Sequence, residues 1–369
     1  MVREVRAYLE STLEAELDAR AATGVVHAGP ARDPAIRYWL EASDEAAGAA
    51  RVSYVDERRR LAVAYTAASD STIVHSDADS SHPAEKLASD LADRGLDGTV
   101  LTPAAIPHDA ALYLERAGFG LASTDVLERA RATKIPGERE RIAAAQSIAG
   151  DGIERAAAVL AGTTVRDDGW LEHDGVPLTP DRLRIAADEA IVAAGGLPSG
   201  NTRVDPGVTG ADDGALRAGD PIVVTVAPRT RDGYHGGLVR TFVVAGEGGP
   251  ERRAHVGVTH AFRSSEAMLT ADSHSVTAVE ADLEAEVRAF GVAGEENVET
   301  DVAGVGLEPR EAPLAGGDEV GPGCVVRLEA AGCVDGAWVR VADVLSVEDD
   351  GVEWLPAPSR SLEPTALLE

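Results

Sequence analysis

The stretch LRAGDPIVVTVAPRTRDGYHGGLVRTFVVAGE, residues 216–247, decides the fold of the second half of this sequence. It contains two apolar runs rich in β-branched residues, PIVVTVAP (221–228) and LVRTFVVAG (238–246). A polar segment with Asp and Gly separates the two runs. Runs of this kind, bounded by Gly and Asp, are typical of strands joined by a turn. We therefore predict two strands here, with a turn between them.

The sequence on both sides of this stretch predicts more strands, interrupted by helices. CVVRLEAAG (324–332) and WVRVADVLSV (338–347) have the composition of strands. Amphipathic patterns with helix-ending glycines predict helices at 138–161, 179–195, 249–270 and 275–291. The tail from about residue 354 contains Pro and Ser, and we predict that it frays.

The first third of the sequence alternates between helix and strand patterns. Helices are predicted at 3–21, 34–48, 107–117 and after Pro83, and strands at 24–29, 51–55, 61–66, 71–75 and 99–103. Such alternation predicts an α/β layer domain with a mixed sheet. The Pro136-Gly137 pair then breaks the pattern, so we place a boundary near residue 131. The expected fold class is α/β (α+β), with domains 1–131 and 132–369.

The sequence is strongly acidic, with 34 Lys and Arg against 63 Asp and Glu and a formal net charge of −29. This balance argues against a protein that binds the nucleic-acid backbone or an anionic membrane, because both need basic patches. Only Lys86 and Lys134 are lysines, and aromatic residues make up 4% of the chain. We expect the protein to come from a halophilic archaeon, in which salt screens these charges. An ordinary acidic mesophilic protein is the alternative.

Location and redox chemistry follow from what the sequence lacks. The start, MVREVRAYLESTLEAEL, is charged and has no apolar signal core. No run approaches the roughly 18 apolar residues that span a membrane. We therefore expect a cytoplasmic protein. The two cysteines, Cys324 and Cys333, are too few for a disulfide framework or a zinc ribbon.

Short motifs within the opening stretch resemble a known family. Gly219-Asp220 precedes the first strand, Gly233-Tyr234-His235 forms the turn, and Arg240-Thr241 lies in the second strand. This order resembles the core of the peptidase M24 family, which includes methionine aminopeptidase, Xaa-Pro dipeptidase, Xaa-Pro aminopeptidase and creatinase. The resemblance implies the pita-bread fold of that family, with a creatinase-type domain in front of it.

Other segments resemble the same family in the same order. They are ARATKIPGERERIAAAQSIA (130–149), SGNTRVDPG (199–207), DVAGVGLEPREAP (301–313), VVRLEAAG (325–332) and WVRVADVLSV (338–347). Each segment alone is a weak signal, but the order and the separations together are specific. The resemblance extends over residues 130–350.

The family holds two metal ions with two Asp, one His and two Glu, and of these ligands the resemblance leaves only Glu329. The other four ligand positions fall on Thr225, Gly237, Ala303 and Ala342. The two assisting His of the family fall on Gly207 and Arg310. A dinuclear site needs several carboxylate oxygens. We therefore predict no metal cofactor. A shifted alignment would put Asp343 in place of Ala342, but its side chain is expected on the opposite face, because neighbouring side chains of a strand alternate.

Six residues are candidates for the present chemistry of the cleft: His235, Arg240, Arg310, Glu311, Glu329 and Arg340. Arg310 places a permanent cation where the family has an imidazole, and arginines bind carboxylates and phosphates well. The alternative is that Arg240 and Arg340 form structural ion pairs with acids such as Glu329. A lone His in a glycine-rich turn, such as His235, is ordinarily a turn or surface residue.

We therefore predict a non-catalytic homologue that binds a peptide, a small anion or a protein partner, and the resemblance implies a possible homodimer. The alternative is an active Xaa-Pro dipeptidase or aminopeptidase that holds two metals such as Mn or Co with other acids. Candidates for these acids are Asp212, Asp213, Asp232, Asp301, Glu308 and Glu311. A metal-free hydrolase of small amides is disfavoured, because the catalytic His of creatinase falls on Ala303.

Overall fold

The computed structural model describes residues 2–41, 59–66, 71–77, 81–208 and 214–368. The chain divides into two compact units, Met1–Arg131 and Ala132–Glu369. Among the described residues, no helix is both long enough and apolar enough to cross a bilayer. The predicted strand at 51–55 and the end of the predicted helix at 34–48 lie outside the described residues.

The first unit is an α/β layer built on a mixed sheet. Its helices are α1 (Val2–Arg20), α2 (Pro34–Glu41), α3 (Pro83–Asp93), α4 (His108–Arg116) and α5 (Val126–Ala132). Its strands are β1 (Gly24–Pro30), β2 (Arg60–Thr66), β3 (Ser71–Ser76), β4 (Thr99–Thr102) and β5 (Gly120–Ser123). In this part of the described chain the strand order is β3-β2-β1-β4-β5. The β1–β2 pair is antiparallel, and the β1–β4 and β4–β5 pairs are parallel.

The core of the first unit lies between this sheet and helices α3 and α4. Leu87 and Leu91 of α3 and Leu114 of α4 are buried against strand residues such as Val26 and Val100. Side chains four residues apart share one face of a helix, so the apolar spacing in α3 directs these leucines toward the sheet. The predicted mixed α/β architecture is confirmed.

The second unit contains most of the chain. Its helices are α6 (Pro136–Ala161), α7 (Pro180–Ala193), α8 (Pro250–Ala271) and α9 (Val276–Ala289). Its longer strands are β9 (Arg203–Pro206), β10 (Pro221–Val226), β11 (Leu238–Val243), β13 (Val298–Gly304), β15 (Val325–Val334), β16 (Ala337–Glu348) and β17 (Gly351–Trp354). The short strands are β6 (Thr164–Val165), β7 (Leu171–His173), β8 (Val176–Pro177), β12 (His274–Ser275) and β14 (Glu319–Val320). These short strands were not predicted, because two or three residues show no clear alternation.

The helix starts of the second unit are encoded locally. The Thr179 hydroxyl accepts a hydrogen bond from the amide of Arg182, and the Ser275 hydroxyl accepts one from Ala278, so both residues cap their helices. At the start of α6, Glu138 accepts a hydrogen bond from the amide of Ile135, while Pro136 occupies the first turn.

An antiparallel sheet forms the centre of the second unit. Over the described residues its order is β13-β15-β16-β11-β10-β9, and β17 also pairs with β16. Helices α6 and α7 pack against β10 and β11, and helices α8 and α9 pack against β13, β15 and β16. On β10 the helices bury Ile222 and Val224, whereas Val223 belongs to a separate small cluster with Val239 and Ala342. The helices therefore cover one face of the sheet, and the second face is available for a site.

The prediction that the tail frays is wrong. Two of its carbonyl groups, those of Pro358 and Ser359, accept hydrogen bonds from the buried guanidinium of Arg240. The carbonyl of Leu362 accepts a hydrogen bond from the amide of Val243. A terminal segment is ordered when its backbone groups are paired in this way. The composition of the tail does not reveal these partners, which lie on β11.

Candidate functional site

The face of the sheet opposite the helices brings three metal-ligand positions of the resemblance, Thr225, Ala342 and Glu329, into one row. The strand register pairs Thr225 with Val239, Val239 with Ala342, Ala342 with Glu329, and Glu329 with Asp301. Residues paired across strands project to the same side of a sheet. These five residues therefore form one row across β10, β11, β16, β15 and β13.

The neighbouring rows on this face follow from the same register. Ala303 pairs with Arg327, and Ala331 pairs with Arg340. Because the side-chain period of a strand is two, Arg327 lies on the same face as Glu329, and Arg340 lies on the same face as Ala342. A cavity of about 620 Å³ opens onto this face. We call it the cleft cavity; it is lined by Arg203, Asp205, Pro206, Gly207, Val208, Val223, Thr225, Glu299, Arg327, Glu329, Trp338 and Arg340.

Both carboxylate oxygens of Glu329 bind arginines. Its Oε1 accepts a hydrogen bond from Nη1 of Arg340 at 2.5 Å, and its Oε2 lies 2.6 Å from Nη2 of Arg327. The Glu329 and Arg327 side chains are only 9% and 12% exposed. Charged groups that lose so much water are stable only when paired. The two arginines provide this pairing.

The same pattern of alternating charges continues on both sides of Glu329. Asp301 receives hydrogen bonds from Arg327 at 3.3 Å and from Arg310 at 2.5 Å. At the other end, Nη2 of Arg340 pairs with Glu299. We call these six residues the charge ladder, which in order consists of Arg310, Asp301, Arg327, Glu329, Arg340 and Glu299. Although burial opposes the charge on Arg340, the hydrogen bonds to Glu329 and Glu299 raise its pKa.

The residues on this face do not fit a pair of divalent cations. Of the five ligand positions, only Glu329 carries a carboxylate, and both of its oxygens are engaged by arginines. Thr225 offers a neutral hydroxyl, which is a weak ligand beside the carboxylates that such metals prefer. Over the described ranges, no group of three or more His, Cys, Asp and Glu could hold a metal ion. Two nearby guanidinium groups would also repel a dication.

Arg240 lies on the other face of the sheet, so the prediction that it lines the cleft is wrong. Its neighbour Val239 belongs to the Glu329 row, and side chains alternate along a strand. The Arg240 guanidinium instead binds Asp343 at 2.6 Å, with both side chains almost fully buried. Burial lowers the pKa of Arg240, and the carboxylate of Asp343 opposes this change. The position of Asp343 agrees with the alternation argument made from the sequence.

Glu311 does not line the cleft cavity either. Its Oε1 lies 2.7 Å from Nζ of Lys134, and the two side chains are 4% and 1% exposed. Its Oε2 accepts a hydrogen bond from the amide of Glu308. The nearby carboxyl of Glu138 accepts a hydrogen bond from Tyr234, and burial raises the pKa of Glu138 to about 7. These buried contacts hold the loop that ends at Pro313 against the start of α6.

His235 is buried beside the loop that follows β13. Its amide donates a hydrogen bond to the carbonyl of Gly306, and its Nδ1 lies 3.4 Å from the carbonyl oxygen of Ala227. It is not among the residues that line the cleft cavity. The structure therefore separates the six candidates. Glu329 and Arg340 line the cavity, and Arg310 lies outside its lining but belongs to the charge ladder through Asp301. The other three, His235, Arg240 and Glu311, lie elsewhere.

The acids considered for a replacement metal site do not come together in the described part of the chain. Asp232 lies 3.7 Å from Nε of Arg141, Asp301 belongs to the charge ladder, and Glu311 pairs with Lys134. Asp212 and Asp213 lie outside the described residues.

Sequence reasoning missed several residues of the site. Arg327 is the most important, because it links Glu329 to Asp301. It precedes Glu329 by two residues on a strand, so the period of two could have placed it on the same face. Arg203 and Asp205 share one face of β9 by the same period, but Trp338 lies on β16, and only the strand register brings β9 and β16 to the cavity.

Comparison with known proteins identifies the family of this chain. The sequence model described as metallopeptidase family M24 matches residues 140–350. A curated relative, the probable dipeptidase PepE of Mycobacterium bovis, is 33% identical over 196 residues, which cover 48% of this chain and 52% of that protein. The chain thus matches about half the length of its curated relatives.

Solved structures share the whole fold at low identity. The dipeptidase of Pyrococcus horikoshii OT3 matches with a TM-score of 0.73 and 20% identity, covering 96% of this chain and 99% of that one. The N-terminal domain of the FACT complex subunit SPT16 from chickpea, Cicer arietinum, matches with a TM-score of 0.71 and 14% identity, covering 98% of each chain. The fold therefore occurs both in dipeptidases and in a chain named as a subunit of a complex. This chain belongs to metallopeptidase family M24, and its pita-bread domain follows an N-terminal α/β domain in the sequence.

Proposed function

We propose that this member of family M24 is a binding protein that lacks the dinuclear metal centre and takes a short peptide in the cleft cavity. The observation that carries the proposal is the pairing of both Glu329 oxygens with Arg327 and Arg340. Each oxygen of Glu329 already pairs with a guanidinium, and the positive charge of these two groups opposes a dication at the same carboxylate. Without a bound metal, no water of lowered pKa forms at this position to attack an amide.

The lining of the cleft cavity supports a peptide ligand. Three arginines face three carboxylates there: Arg203, Arg327 and Arg340, with Asp205, Glu299 and Glu329. A dipeptide carries one ammonium and one carboxylate, so it complements a lining with both signs. Trp338, Val223 and Pro206 add apolar surface for its side chains. A small anion or a protein partner would use only part of this lining.

A second function has support from the relatives, which are named as probable dipeptidases. It is an active Xaa-Pro dipeptidase or aminopeptidase, with Mn or Co held by an unusual set of residues. The experiment separates the two functions. The protein is purified in concentrated KCl, as its composition suggests, and is loaded with Mn²⁺, Co²⁺ or Zn²⁺. It is then desalted into the same KCl, and the metal per chain is counted.

We expect no stoichiometric metal, no hydrolysis of Ala-Pro or Gly-Pro, and binding of these dipeptides in calorimetry. The variant R203A should weaken the binding, because Arg203 lines the cavity and is 71% exposed, so that its loss disturbs the fold little. Arg166, in another exposed pair with Asp168, provides the matched control R166A. Two metal ions per chain together with dipeptide hydrolysis would establish the peptidase instead.

A further inference from the structure

A second cavity lies on the helix-covered side of the sheet, away from the cleft cavity. It has a volume of about 470 Å³, and we call it the tail cavity. Its walls are helix α8, strands β11 and β16, and the tail. The lining residues are Arg240, His255, Thr259, Arg263, Asp343, Trp354, Leu355, Ala357, Pro358, Ser359, Arg360 and Ser361.

The buried side chain of Arg240 lines this cavity and is fully hydrogen-bonded. Its Nη2 binds Asp343 at 2.6 Å and the carbonyl of Pro358 at 2.8 Å. Its Nε binds the carbonyl of Ser359, and its Nη1 binds two strand carbonyls. All five N–H groups of a guanidinium are thus used. Arg240 therefore shapes the cavity and has no donor left for a ligand.

Arg360 is held in place at the wall. Its Nε pairs with Asp343, and its guanidinium carbon lies 4.6 Å from the ring centre of Phe262 and 4.9 Å from that of Trp354. Such stacking orients a guanidinium without consuming its N–H groups. The Nη1 and Nη2 groups of Arg360 make no hydrogen bond with any residue that the structure describes. They remain available to bind an anion.

Arg263 is the third arginine of the tail cavity. It lies on α8 with its side chain exposed, and it makes no ion pair or hydrogen bond within the described residues. The hydroxyl groups of Thr259, Ser359 and Ser361 lie in the same lining. Arg263 and Arg360 thus offer two guanidinium groups with unused donors beside several hydroxyls.

The charge of the tail cavity is opposite to that of the chain. Three arginines line it with one carboxylate, that of Asp343, whereas the whole chain carries −29. The remaining titratable group is His255, whose Nε2 donates a hydrogen bond to the carbonyl of Arg360. Burial lowers the pKa of His255, which favours the neutral form of its imidazole. The cavity therefore favours an anion with about two charges.

We propose that the tail cavity is a phosphate site in which Arg263 and Arg360 bind the phosphate group of a small molecule or free phosphate. A guanidinium donates two parallel hydrogen bonds to a phosphate, and a dianion matches the excess of two positive charges. The volume of the cavity leaves room for an organic group beside Trp354 and Leu355.

The test measures anion binding by calorimetry at constant ionic strength and pH 7.5, with inorganic phosphate, phenyl phosphate and acetate as probes. We expect the two phosphates to bind with one site per chain and acetate to bind far more weakly. The variant R263A should raise the Kd for phosphate roughly tenfold or more, which is the usual value of a charged hydrogen-bonding pair. R252A is the matched control, because Arg252 is exposed on the same helix and outside the lining.

Tryptophan fluorescence provides a second readout, because Trp354 lines the tail cavity and Trp338 lines the cleft cavity. Quenching by phosphate should disappear in W354F and persist in W338F. Tighter binding of phenyl phosphate identifies a phosphorylated small molecule as the ligand, and equal binding identifies free phosphate. Absence of phosphate binding, equal affinity for acetate, or equal loss in R263A and R252A would overturn the proposal.

Discussion

The Cδ atom of Arg327 lies 3.0 Å from the point that a Cβ atom on residue 237 would occupy, so Gly237 and Arg327 are sterically coupled. By the resemblance, residue 237 is the position of the second metal-binding Asp. A side chain there would meet the arginine that pairs with Glu329. Position 237 can therefore carry a side chain only if Arg327 shifts.

This coupling predicts the effect of filling position 237. The variant G237V should lower the free energy of unfolding by about 1–3 kcal/mol, because Arg327 is pinned by two carboxylates and cannot move freely. In the R327A background the same substitution should cost much less. Urea unfolding of the four proteins of the double-mutant cycle measures the coupling. G317A serves as the control, since a Cβ at Gly317 would meet nothing within 4 Å; equal costs in both backgrounds would refute the coupling.

The two arginines bound to Asp301 should differ in their contribution to stability. R327M leaves the buried Glu329 with one uncompensated oxygen, so we expect a loss of about 3–5 kcal/mol. R310M removes an arginine that is 52% exposed, and water replaces much of its interaction, so we expect a loss of at most about 1 kcal/mol. Urea unfolding at one salt concentration compares the variants. Similar losses of stability in R327M and R310M would show that burial does not determine how much each arginine of the charge ladder contributes.

Stability should depend on pH through Glu138. Its pKa of about 7 lies above the value of an unfolded chain, near 4.3. Between these two pH values, Glu138 is protonated in the folded state and ionised in the unfolded state. The free energy of unfolding of the wild type is therefore highest at low pH and falls as the pH rises to about 7. Relative to the wild type, E138Q should gain about 1–3 kcal/mol between pH 5 and pH 8.

The matched control for this prediction is E140Q, because Glu140 is exposed on the same helix. Its stability should follow that of the wild type at every pH. If the E138Q and wild-type curves are parallel from pH 5 to pH 8, Glu138 is ionised throughout this range.

The two lysines should differ sharply in reactivity. Lys134 is 1% exposed and bound to Glu311, whereas Lys86 is half-buried on α3. A reagent reaches Lys134 only after local opening, so its labelling should be at least about tenfold slower than that of Lys86. Peptide mapping by mass spectrometry after pulses of an amine-reactive ester measures both rates. E311Q should accelerate the labelling of Lys134 alone; similar rates in the folded wild type would contradict the buried pair.

Local sequence patterns predicted most of the elements near the site. The runs at 221–228 and 324–332 became β10 and β15, because β-branched residues between turn signals favour strands. Alternation along a strand correctly separated Asp343 from Ala342. The resemblance assigned Glu329 and Ala342 to two strands, and the structure pairs these two residues directly.

Other features depended on contacts between distant segments. The burial of Arg240 requires carbonyl groups from the tail, more than a hundred residues away. Glu311 was a cleft candidate, but its partner Lys134 lies just before α6, far away in the sequence. No local pattern encodes such pairs, because each basic side chain has many possible partners among the 63 acidic residues of the chain.

The sequence by itself determined the family and predicted many of the longer helices and strands, and the resemblance placed Thr225, Gly237, Ala303 and Ala342 at four of the five ligand positions. These properties are local, because each depends on residue types within one short segment. The sequence offered a pair of Arg340 with Glu329 as an alternative, but only the tertiary structure placed Arg327 on the same carboxylate and Arg263 and Arg360 in the tail cavity. The physical reason is that strand register and helix packing bring together groups from different segments, and burial then makes their pairing energetically decisive.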